Sequence, residues 1–119
     1  MDEIKTSIVT RQLIRDLRGR KDIDKTIVGF LVDDFKKRDS LGWKKYGKPL
    51  DHRDEAHDWL VELEEEILDA CQYSKAEILR RESKKQRHVS ISCVYQELLT
   101  LLVRVKTERE NLKRGRHLD

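Results

Sequence analysis

A chain of 119 residues that is 37% hydrophobic and 41% charged, with one proline and five glycines, suits amphipathic helices with solvated outer faces. It is long enough for one modest core, too short for two conventional domains, and lacks the frequent turn residues that an all-β chain requires. The net charge of +3 is segregated, with nine acids against the single base Arg53 over residues 51–73 and twelve Lys or Arg against six acids over residues 74–119, and an exposed acidic block argues against nucleic acid as partner.

The expectation is therefore an all-α fold of four to five helices, a single helical domain over residues 1–119, with residues 110–119 as a frayed basic tail. No run approaches the roughly 20 apolar residues that span a bilayer, so no membrane partner is expected. Nothing resembles a secretory signal, which places the chain in the cytoplasm. Cys71 and Cys93 read as buried thiols.

The first helix is expected from a Thr6 or Ser7 cap to Arg18, stopped by Gly19, with Ile8, Val9, Leu13, Ile14 and Leu17 inward. A second follows an Asp22 or Asp24 cap to about Arg38, with Ile27, Val28, Leu31, Val32 and Phe35 inward. Residues 40–50 hold two glycines, the proline and two aromatics, and read as the principal loop. Asp51 is then a plausible cap for a long acidic helix from about Arg53 to Arg81 or beyond, whose acids precede its bases as the macrodipole favours. A connection over residues 87–92 offers Ser90 or Ser92 as cap of a last helix to about Lys113, with Val94, Leu98, Leu101, Leu102 and Val105 as its stripe.

On the acidic helix Glu55, Asp58, Glu62, Glu65 and Asp69 fall within about 80° of one another. Glu62, Glu66, Asp69 and Tyr73 border the apolar face beside Trp59. Carboxylates on such an edge can share Mg²⁺ between helices, and the ion would draw in phosphate esters. They can equally solvate one face, although like charges at i,i+4 cost an isolated helix about 0.2–0.5 kcal/mol per pair.

The loop interleaves Trp43 and Tyr46 with Lys44, Lys45 and Lys48. A base stacked on such an aromatic gains about 1–3 kcal/mol, with ammonium groups left for phosphates, and the rival reading folds both rings back onto the core. His52 and His57 lack companions at zinc spacing and read as structural or surface residues. The basic ending, Arg104, Lys106, Arg109, Lys113, Arg114, Arg116 and His117, can be a solvated face, receive phosphates, or lie against the acidic stripe of another subunit in a homo-oligomer.

The stretch Lys45-Tyr46-Gly47-Lys48-Pro49-Leu50, with Glu65-Glu66-Ile67-Leu68-Asp69-Ala70-Cys71-Gln72-Tyr73, resembles small bacteriophage proteins carrying a KYG-x-x-L loop and an E-E-x-x-D-A-x-x-Y helix. Those look like relatives of the MazG-type all-α nucleoside triphosphate pyrophosphohydrolases, and the similarity covers roughly residues 40–80. In that family an E-E-x-x-E helix and a following E-x-x-D helix hold Mg²⁺ against the triphosphate. Glu66-Ile67-Leu68-Asp69 matches the second motif, whereas the preceding helix offers only Asp33 and Asp34 for the first.

The resemblance implies an oligomeric MazG-like helical bundle that handles a nucleotide. In a Mg²⁺-dependent hydrolase Glu62, Glu66 and Asp69 would be the catalytic and metal residues. Trp43, Lys44, Lys45, Tyr46, Lys48 and Tyr73 would bind the nucleotide. The alternatives are a non-catalytic phage protein that sequesters a signalling nucleotide of host defence in the host cytoplasm, and a structural adaptor.

Overall fold

The structure, a computed structural model, describes residues 6–115, whose regular elements are four α-helices. The order is α1 (Ile8–Arg18), α2 (Lys25–Tyr46), α3 (Trp59–Ser83) and α4 (Val89–Lys113). No helix among the described residues is long and apolar enough to cross a membrane. The chain divides into two compact units, one up to Asp54 in which α1 packs on α2, and one from Glu55 in which α3 packs on α4.

In the first unit the Ser7 hydroxyl accepts from the Thr10 backbone N–H at 3.2 Å and caps α1, while Gly19 closes its end. Asp24 caps α2 through the N–H groups of Thr26 and Ile27. Ile14 and Val32 are the buried aliphatics of this hairpin. At its open end the Asp39 carboxylate accepts from the Ser7 N–H at 2.8 Å, the Ser7 hydroxyl at 2.7 Å and the Thr10 hydroxyl at 2.9 Å. Those short, charge-assisted bonds tie the start of α1 to the third turn from the end of α2.

Several boundaries differ from the sequence expectation. Helix α2 runs eight residues beyond Arg38, through Ser40, Gly42 and Trp43, and ends at Gly47, whose left-handed φ of 72° a side chain would strain. The loop expected over residues 40–50 is thus mostly helix. Asp51 caps no helix; its Oδ1 accepts from the Arg53 N–H at 3.0 Å in a local turn, and Asp58, accepting from Val61, caps α3 instead. Glu55 and Asp58 therefore precede the helix, and the carboxylate stripe on it shortens to Glu62, Glu65 and Asp69. Ile27, expected inward, is 48% exposed.

In the second unit the packed residues of α3, Leu60, Glu64, Ile67, Cys71, Ser74 and Ile78, alternate spacings of four and three. So do Ile91, Tyr95, Leu98, Leu102, Val105 and Arg109 of α4, which makes an antiparallel seam of coiled-coil type. Helix α4 starts one residue after His88 with no side-chain cap, and Ser90 and Ser92 lie inside it; the Ser92 hydroxyl instead meets His88 Nδ1 at 3.1 Å. Val94 and Leu101, expected in its core stripe, are exposed flanks of the seam. Residues 110–113, expected to fray, complete α4, and Arg116 and His117 lie outside the described residues. Cys71 is a buried free thiol as expected, but Cys93 is exposed, because it points away from the seam.

Candidate functional site

Extension of α2 to Tyr46 carries Trp43 onto the helix's last turn but one, on the side that also bears Asp39. Opposite it stands the start of α1, held there by the Asp39 bonds. A cleft of about 170 Å³ opens between them, lined by Trp43, Pro49 and Leu50 together with Arg11 and Arg53. Arg11 is exposed and has no ion-pair partner among the described residues. Arg53 is held by Asp51, with Nε donating to Oδ1 at 3.0 Å and Nη2 to Oδ2 at 3.2 Å. These bonds hold the Asp51 carboxyl down at about 2 and push the Arg53 guanidinium up. Cleft and rim thus combine an aromatic wall with one exposed and one carboxylate-paired cation, a setting for a planar anionic molecule.

The other loop residues expected at a nucleotide are not gathered there. Lys45 lies over the ring of its neighbour Tyr46, 5.3 Å from the centroid, and that ring is 64% exposed. Lys44 is exposed, and Lys48 is bonded to Asp54 at 2.7 Å. Tyr73 belongs to the second unit, on an outer face of α3, and is 72% exposed.

Glu62, Glu66 and Asp69 are all on α3, and the structure does not bring them together as a metal-holding set. Among the described residues no group of three or more His, Cys, Asp or Glu side chains is positioned to hold a metal ion. The Glu62 carboxylate is engaged by His57 Nδ1 at 2.9 and 3.0 Å, while Glu66 and Asp69 are exposed on the surface. Their i,i+3 separation offers an ion two carboxylates from one helix, short of the ligand set that holds a hard cation. The residues present do not fit a resident Mg²⁺.

His57 has a structural task. Its ring stacks on Trp59, with centroids 4.6 Å apart and planes 8° from parallel, and its bond to Glu62 staples the residue before the Asp58 cap to the first turn of α3. No protein-family model matches the chain, and no curated protein and no solved structure matches it either.

Sequence reasoning missed Arg11, Arg53, Asp39 and Glu64. Arg11 is one of several bases on the first helix, with no local signal to single it out, and Arg53 only becomes a cleft residue once Asp51 forms a turn rather than a cap. Asp39 left no local signal, since its partners are 29 and 32 residues away. Glu64 did leave one: it occupies the seam spacing between Leu60 and Ile67, and its carboxylate is buried against Lys106 and Arg109.

Proposed function

We propose that the chain is a nucleotide-binding protein that holds its ligand without hydrolysing it, at the cleft between the start of α1 and the end of α2. The observation that carries this reading is the grouping of Trp43 with Arg11 and Arg53 around one opening. Drug-sized ligands occupy roughly 300–1,000 Å³. A cleft of about 170 Å³ therefore takes one end of a nucleotide. The base is the better fit for it: Trp43 supplies the stacking surface, and the guanidinium of Arg11 meets a phosphate at the rim. The carboxylates of α3 contribute no metal chemistry in this reading.

Titration calorimetry with a panel of mono-, di-, tri- and cyclic nucleotides, with and without Mg²⁺, tests it, followed by chromatography of the ligand released on heat denaturation. Saturable binding with intact recovery supports a binder. A Trp43→Ala substitution should weaken it by about 1–3 kcal/mol, roughly 5- to 150-fold. Phosphate-cleaved products appearing with Mg²⁺ would replace this reading by a hydrolase, and absence of binding to the whole panel by an adaptor.

A further inference from the structure

The α3–α4 hairpin is short of buried surface. Of its 50 helical residues only Glu64, Cys71, Ser74 and Ile78 are buried, all on α3, and α4 has none. A helix's apolar stripe is stable only when covered by another element. Here a second stripe runs beside the seam: Leu63 and Ala70 on α3, Val94 and Leu101 on α4, one position before each packed residue. Leu63 is 47% exposed, Val94 41% and Leu101 45%. In an antiparallel pair these equivalent flanking positions lie on the same face of the hairpin.

The rims of that face carry opposite charges. Three residues beyond Leu63 stands Glu66, and three beyond Leu101 stands Arg104. The register set by Lys75 over the Tyr95 ring and by Lys106 with Glu64 brings Glu66 level with Arg104. Both are exposed, and neither has a partner among the described residues. We infer that the Leu63–Ala70–Val94–Leu101 face of the α3–α4 hairpin is the docking surface for a second copy of the same hairpin, with Glu66 of each copy against Arg104 of the other. A two-fold axis along the hairpin lays α3 of one copy over α4 of the other. Acid then meets base at both rims, and Leu101 faces the small Ala70. An acid on one rim level with a base on the other is the pattern that makes a surface complementary to itself. The inference is independent of the ligand reading.

Sedimentation of the full chain should give an even number of copies. Glu66→Arg or Arg104→Glu alone sets like charges together at both rims and should raise the dissociation constant at least tenfold, with helicity by circular dichroism unchanged. Mixing the two variants restores complementary pairs at both rims, so the mixture should reassociate as a heterodimer. A monomeric wild type overturns the inference, and so does a dimer indifferent to both reversals or a mixture that stays dissociated. Should either reversal lose helicity, Ala70→Cys and Leu101→Cys carried on separate chains free of Cys71 and Cys93, then mixed, replace it: intermolecular disulfide formation between the two chains supports the face, and its absence overturns it.

Discussion

Glu64 of α3 and Arg109 of α4 form an ion pair inside the seam of their hairpin, with Lys106 also reaching the carboxylate at 3.3 Å. The Glu64 side chain is 8% exposed and that of Arg109 20%, while the Lys106 side chain is 55% exposed. Removing one partner leaves a buried charge poorly paired. Arg109→Ala should therefore cost about 3 kcal/mol in urea unfolding, whereas Glu64→Leu with Arg109→Leu should be within about 1 kcal/mol of wild type or more stable. Unchanged unfolding of Arg109→Ala would show that Lys106 alone satisfies the carboxylate.

The Asp39 cluster predicts a similar asymmetry in the first unit. Asp39→Ala removes the carboxylate acceptor shared by two buried hydroxyls and the Ser7 N–H, and should cost about 2–3 kcal/mol. Ser7→Ala removes the α1 cap for about 1 kcal/mol. Because both act on one network, the double variant should lose less than the two losses added, measured by a double-mutant cycle.

Glycine substitutions along α2 should have opposite signs. Gly29 and Gly42 are helical with open space where a Cβ would go, so alanine at either should raise stability by about 0.5–1 kcal/mol. Gly47 has equal room but a φ of 72°, and Gly47→Ala should lower it by about 1 kcal/mol. Thermal melts of the three single variants decide this, and stabilisation by Gly47→Ala would contradict the left-handed cap.

The Asp51 carboxyl, held at about 2 chiefly by its hydrogen bond from the Arg53 side chain, should titrate by NMR well below an ordinary aspartate. A depressed carboxylate contributes stability that is present above its unfolded value near 3.8 and lost as pH falls through about 2. Arg53→Gln should return the midpoint most of the way to the ordinary value. An unchanged midpoint would mean the turn backbone, not the guanidinium, holds the charge.

Divalent ions offer a direct check on the α3 carboxylates. With Glu62 bonded to His57 and Glu66 and Asp69 apart on the surface, Mg²⁺ should move the melting temperature no more than NaCl of matched ionic strength. Glu66→Gln with Asp69→Asn should leave that response unaltered. A saturable rise with Mg²⁺ that this double variant abolishes would reinstate a metal site.

Much of the first hairpin was legible because its punctuation is local: each cap narrows to two near neighbours, Thr6 or Ser7 and Asp22 or Asp24, of which Ser7 and Asp24 fill the role, and Gly19 closes α1. The second boundary of α2 was not, since Gly42 looks like a breaker and only the surrounding helix formers carry the chain through it. Before α3 the sequence offers Asp51, Asp54 and Asp58, any of which can cap, and the choice of Asp58 depends on the Asp51–Arg53 turn and the His57 staple. For the candidate site, Trp43 could be singled out by type. Its companions Arg11 and Arg53 could not, because chain positions 32 and 10 residues away meet it only through the hairpin's closure.

The division at Asp54 has a consequence for how the chain comes into being. The ties described in the first unit, from Ser7 to Asp39 and from Lys48 to Asp54, close among residues made before Glu55. Helical hairpins dominated by nearby contacts fold in microseconds to milliseconds, while ribosomes add about 5–20 residues per second. The 65 residues from Glu55 onward thus take roughly 3–13 s to make. Both partners of the Ser7–Asp39 tie are made before that interval begins, so this tie does not wait for the residues of the second unit.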